Sequence, residues 1–260
     1  MRLRTPFVRR VNRNGRLTTS GGEPAALRGT LLVAATLVVL NVVKHKLPSR
    51  GVSLSVVAAL ALLVFARWSG LSWDDLGLGV DQAREGGVWG LAAALLISSA
   101  YTAGVLMPVT RGAFLDARYE MTLPETLVTS LVAIPLGTVL LEEVAFRSVL
   151  WGMLANHTTT SGVTVTSSAL FGLWHVLPSL DFANGNQALN DAATGDRLRS
   201  TLLVTLGTVA FTALGGVVAG ELRRRSDSVL ASAGMHWATN GLGVVFGLFA
   251  WRLERSRGRR

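Results

Sequence analysis

Two adjacent glutamates sit inside an apolar run, Leu141-Glu-Glu-Val-Ala-Phe-Arg147. Ionisable side chains in such a run are costly, and function is the first reading of them. Glu143 and Arg147 are spaced i, i+4, so they share a helix face and can pair, which lowers the cost of burying both. Glu142 lies about 100° around the helix and is free to face another partner or a water-filled cavity. The chain has four histidines. Two of them, His175 and His236, also lie in apolar runs, whereas His45 and His157 fall between runs. His236 and Asn240 are again i, i+4, and an imidazole beside a carboxamide gives two donors for a developing oxyanion. A carboxylate with a histidine from another helix can activate a water. Together these parts make a hydrolase site, with a water on one side of a scissile carbonyl and donors on the other.

Each piece alone has a plainer reading. A histidine in an apolar helix is often a hydrogen-bonded core residue, a Glu–Arg pair is often a clasp, and Phe171, Trp174 and Trp237 fit packing. Buried charges also serve proton paths in transporters. Here no paired half-repeats with matching broken helices support that. The conjunction of three polar pairs weighs towards a site.

The residues around them say what must hold the site. Of 260 residues, 50% are hydrophobic and 16% charged, against about 25% charged in a soluble domain, and the mean hydropathy is +0.43. Apolar residues come in runs of about 15–24, the length that crosses a bilayer as helix. A soluble enzyme, a disordered chain and a secreted disulfide scaffold are excluded. With no cysteine, so are thiol catalysis and Cys-ligated zinc. The net charge is +9. Arginines at both ends and between the runs fit membrane topology and contact with anionic lipid. No basic-plus-aromatic module suggests nucleic acid as a partner.

Apolar stretches fall at about residues 25–43, 51–66, 87–109, 127–154, 163–180, 200–222 and 229–251. The expectation is an all-α polytopic membrane protein of about seven to eight transmembrane helices around a polar cavity. Residues 1–24 would be a basic cytoplasmic tail, 25–252 one helical membrane domain, and 253–260 a basic tail. Between the second and third stretches, Leu71–Gly79 reads as an interfacial segment anchored by Trp73. Asp181–Arg199 reads as a plain polar loop, and Gly216-x-x-x-Gly220 permits close helix packing. The N-terminal tail, Arg223–Arg225 and the C-terminal tail all favour the cytoplasm, yet seven crossings separate the two tails. The arginine-rich composition fits a bacterial plasma membrane.

Glu142-Glu143-x-x-x-Arg147, Phe171-x-x-x-His175 and His236-x-x-x-Asn240 resemble the three ordered motifs of the CPBP family. That family groups type II CAAX prenyl proteases, bacteriocin-processing enzymes and abortive-infection-like proteins. The resemblance covers about residues 127–249, and Trp73–Leu78 is similar to an upstream segment of such proteins. It implies an intramembrane endopeptidase acting on a membrane-associated peptide or protein. Glu142 and His175 would activate the water, Glu143 held by Arg147 would tune the site, and His236 and Asn240 would form the oxyanion hole. Phe171, Trp174 and Trp237 would line the cavity. The family is often labelled a metalloprotease, and Glu142, His175 and His236 could supply zinc ligands. There is no His-Glu-x-x-His helix, and a cofactor-free glutamate/histidine mechanism is preferred. A non-enzymatic immunity or scaffold protein of the same fold is the alternative.

Overall fold

The computed structural model describes residues 23–185 and 197–257. The N-terminal tail, most of the Asp181–Arg199 loop and the last three residues lie outside them. The described residues form helices and turns without strands. In order these are α1 (Glu23–Lys46), α2 (Gly51–Trp68), α3 (Val80–Leu106), α4 (Leu123–Leu154), α5 (Thr160–Trp174), α6 (Val176–Gly185), α7 (Arg197–Ser226), α8 (Val229–Trp237) and α9 (Gly243–Arg257), with short turns of helix between α3 and α4. Six helical stretches are long and apolar enough to cross a membrane by length and composition: Leu27–Lys46, Pro48–Trp68, Val80–Leu106, Leu123–Leu154, Thr160–Leu180 and Thr201–Ser226. The chain is an integral membrane protein. The last apolar stretch is outside that set; a wide turn, Ala238–Leu242, lies within it between α8 and α9.

Local sequence sets the helix starts. Thr122 and Glu125 form a reciprocal cap on α4, with the Thr122 amide donating to Glu125 Oε2 at 2.8 Å. The hydroxyls of Thr159 and Ser228 accept amides at the starts of α5 and α8. The expected interfacial segment 71–79 is a chain of turns. Gly77 adopts φ +70° there, and a Cβ on it would stand 2.5 Å from the Arg223 guanidinium. Only glycine fits both demands.

α4 is wound irregularly. Three stretches, Thr129–Ala133, Pro135–Val139 and Val144–Val149, have π-type turns. Pro135 cannot donate to the carbonyl one turn back, which disturbs the α ladder. Carbonyls in each wide stretch accept a side chain from elsewhere. Ser130 O accepts from Trp237 Nε1 at 2.9 Å. Gly137 O accepts from Lys44 Nζ at 2.9 Å and Ser55 Oγ at 2.6 Å. Phe146 O accepts from Ser167 Oγ at 2.9 Å, and Arg147 O from Arg223 Nε at 3.2 Å. The wide turn after α8 is treated alike, with Tyr101 Oη donating to Thr239 O at 3.0 Å. In lipid a main-chain carbonyl turned out of its ladder needs such a partner.

α8, its wide turn and α9 run beside α3 in the same direction. The Val229 amide donates to Gly77 O at 3.0 Å just before α3 begins. Beyond the far end of α3, Trp251 Nε1 donates to Asp116 O at 3.1 Å, and Arg111 pairs with Glu254 at 3.7 Å. Arg118 binds both oxygens of Asp116 and holds that carboxyl below the usual carboxylate range. The two helices touch backbone to backbone, since a Cβ on Gly234 would lie 2.7 Å from Gly90 Cα. Gly234→Ala is therefore expected to push α8 off α3 and cost about 1–3 kcal/mol, read as a lower thermal midpoint in detergent. On α7, a Cβ at Gly216 would press Ser168 of α5 at 3.1 Å and one at Gly220 would press Trp151 at 3.0 Å, so the Gly-x-x-x-Gly pair is a close-packing face.

Candidate active site

The polar residues of α4, α5 and α8 converge in the interior. Glu142, Glu143 and Arg147 are buried on α4. Glu143 Oε1 lies 3.4 Å from Arg147 Nη1, one helical turn on, and 2.8 Å from His236 Nδ1. Arg147 also stacks its guanidinium over the Phe171 ring, 3.9 Å from the centroid. Such stacking suits a planar, weakly hydrated cation.

Glu142 points away from that pair. Its Oε1 accepts from Trp174 Nε1 at 3.0 Å. Its Oε2 is buried, has no hydrogen-bond partner, and faces His236 Nε2 at 3.7 Å and His175 Nε2 at 4.0 Å. One oxygen is held and the other is presented to two imidazoles. Their partners fix the tautomers. His175 Nδ1 lies 2.8 Å from the Phe171 carbonyl, which can only accept, so the proton is on Nδ1 and the lone pair is on Nε2. His236 likewise donates from Nδ1 to the Glu143 carboxylate. Its Nε2 can donate only as imidazolium, with Glu143 as counter-ion.

His175 sits at a corner. It ends α5 with φ −87° and ψ 3° before α6 starts. Pro178, three residues on, has no amide to return to the Trp174 carbonyl. Asn41 Nδ2 of α1 donates to that carbonyl instead, at 2.8 Å. The corner leaves the His175 side chain 20% exposed, so the cluster is reached from outside at this residue.

The structure thus brings together Glu142, Glu143, Arg147, Phe171, Trp174, His175 and His236. It does not join Trp237 or Asn240 to them by a hydrogen bond. Trp237, expected in the cavity wall, donates its indole to Ser130 O and packs at Gly241. Asn240 is half-buried in the wide turn after α8, and its side chain makes no hydrogen bond among the described residues. Glu142, His175 and His236 have the donor chemistry of catalytic zinc, but no three His, Asp or Glu among the described residues are arranged to hold a metal ion.

Three neighbours escape sequence reasoning. Asn41 and Lys44 of α1 border Trp174, with Lys44 Nζ 6.0 Å from its ring centroid. Arg223 is buried and ties α7 to Arg147 O and Asp75 O. Both cations stand at the ends of apolar runs, where the sequence reads them as topology signals. For Asn41, the proline that frees the Trp174 carbonyl is the available clue.

Comparison with curated proteins and with solved structures finds no match to the chain. Residues 124–242, which include every cluster residue and Asn240, match the family described as type II CAAX prenyl endopeptidase Rce1-like, in keeping with the CPBP resemblance. By that match the site-bearing segment of this integral membrane protein is similar to a family of endopeptidases.

Proposed function

We propose that the chain is an intramembrane endopeptidase that cleaves a membrane-associated peptide or protein through a water activated by Glu142 and His175. The observation that carries this reading is the unpartnered Glu142 Oε2, aimed at the Nε2 atoms of two histidines from two other helices. Glu142 takes the proton of a water lying between it and His175, whose Nε2 lone pair accepts a second hydrogen bond. The hydroxide adds to the scissile carbonyl. The oxyanion forms beside His236, which donates from Nε2 while Glu143 balances its charge, and Asn240 supplies the second donor. Glu142 then passes the proton to the leaving amine. Arg147 keeps Glu143 in register.

α8, its wide turn and α9 form a seventh crossing, supported by their course alongside α3 from end to end. The cavity lies among α4, α5 and α8 in a single membrane domain, residues 25–252, between basic tails. The N-terminus is cytoplasmic in a bacterial plasma membrane. The C-terminus then lies on the opposite face, where Arg111, Arg118 and Arg255 each have an acidic partner.

The test compares peptide N-termini in membranes of cells making wild type, Glu142→Gln or neither. Termini seen with wild type alone support the protease and name its substrate. Identical profiles, with both proteins inserted, would support the immunity or scaffold reading. The mechanism proposed is metal-independent, so cleavage of that substrate is expected to persist in a strong chelator. Loss with chelator and recovery with zinc would replace it by a metal mechanism.

A further inference from the structure

The apparatus around Glu142 extends beyond the matched segment. The adjoining ends of α1 and α2 meet α4 at Gly137 through Lys44 and Ser55, five residues before Glu142, or about 7.5 Å along the helix. Three contacts there bear on one side chain. Asn41 donates to the Trp174 carbonyl at 2.8 Å. Lys44, anchored on Gly137 O at 2.9 Å, sets its ammonium 6.0 Å from the Trp174 ring centroid, within reach of a cation–π attraction. Trp174 Nε1 donates to Glu142 Oε1 at 3.0 Å. The indole is therefore held at its main chain and over its ring by α1, and it holds Glu142 in turn.

The geometry points to Asn41 and Lys44 as positioning residues for Glu142, acting through Trp174. The chemistry explains the arrangement. The carboxylate has one fixed oxygen and one presented to the imidazoles, and the choice between them is made by where the indole N–H points. Pro178 has stripped the indole's main chain of its helical bond, so α5 alone does not hold Trp174. The cation does more than pack. Drawing electron density towards the ring face makes the N–H a stronger donor to the carboxylate. Lys44 is thus a polarising as well as a steric neighbour. Residues 124–242 hold the reacting groups, and α1 aims the base.

The activity arm of the test rests on the protease reading, and the spectroscopic arm does not. Protein labelled with 15N-tryptophan in detergent gives an indole N–H signal for Trp174, assigned by its loss in Trp174→Phe. That signal is expected to move in Glu142→Gln, in Lys44→Met and in Asn41→Ala, and to stay in place in Lys44→Arg. On the peptide named by the membrane comparison, Lys44→Met is expected to lower kcat about tenfold with KM changed less than about twofold. Lys44→Arg restores it. In a Trp174→Phe background Lys44→Met is expected to have no further effect. An unmoved indole signal in Lys44→Met overturns the proposal whether or not any peptide is cleaved. So does an undiminished kcat loss in the Trp174→Phe background, which would mean that Lys44 does not act through Trp174.

Discussion

Glu142→Gln is expected to reduce cleavage by roughly 10²–10⁴-fold, the range a general base contributes, while making the protein harder to unfold. The amide is isosteric, and its carbonyl oxygen can still accept the Trp174 indole, so the helix packing is retained. What changes is the inner oxygen. In the wild type Glu142 Oε2 is buried without a hydrogen-bond partner, and a buried unsatisfied polar atom costs about 1–3 kcal/mol. A neutral amide facing the His175 lone pair can donate where the carboxylate could not. A gain of about 1 kcal/mol should appear as a raised thermal midpoint in detergent, alongside the lost turnover. Loss of turnover together with a lowered midpoint would mean that Glu142 serves the fold rather than the reaction.

Arg147→Met is expected to cost about 3–5 kcal/mol, the usual penalty for removing one partner of a buried ion pair. Both members are buried. The variant leaves Glu143 with His236 as its remaining partner and also removes the stack on Phe171, whose ring lies 4.7 Å from that of His175. The loss should therefore reach both the stability and the placement of His175. Two comparisons separate the causes. Glu143→Gln with Arg147→Met should recover more than half of the lost stability, because the carboxylate that lost its guanidinium is then neutral. Arg147→Lys should recover less, because an ammonium cannot reproduce the flat stack. Thermal unfolding of the four proteins in one detergent checks this, and equal midpoints for wild type and Arg147→Met would refute it.

How much of this is legible in the sequence depends on whether the information is local. Spacing of i, i+4 predicts the Glu143–Arg147 pair, and a single residue of offset turns Glu142 the other way, as observed. Helical crossings follow from runs of apolar residues. What is not legible is which partner crosses from another helix. Nothing in the composition says that Glu143 takes His236 Nδ1, or that Trp174 belongs with Glu142 while Trp237 goes to Ser130 O, since both tryptophans follow the same apolar pattern. The widened turns are also hidden. They shift the helix phase without a marker other than Pro135, and the turn after α8 interrupts a stretch that reads as one span. Lys44 and Arg223 are the clearest case, since a cation at the end of an apolar run reads the same whether it meets phosphate, water or a main-chain carbonyl.

The lateral hydrogen bonds on α4 have a consequence for the order in which the molecule can be made. Ser55 and Lys44 precede Gly137 by 82 and 93 residues and are already synthesised when α4 enters the membrane. Ser167 follows Phe146 by 21 residues, Arg223 follows Arg147 by 76, and Trp237 follows Ser130 by 107. A nascent chain stopped before residue 223 therefore has nothing to offer two of those carbonyls. At that stage ordinary α winding is the cheaper state for Thr129–Ala133 and for Arg147 O, and Glu142 faces a direction set by regular turns. The final pitch of α4, and with it the aim of its carboxylates, is therefore set only once α7 and α8 have docked. A half-made protein is in that way kept from carrying the assembled Glu142 cluster.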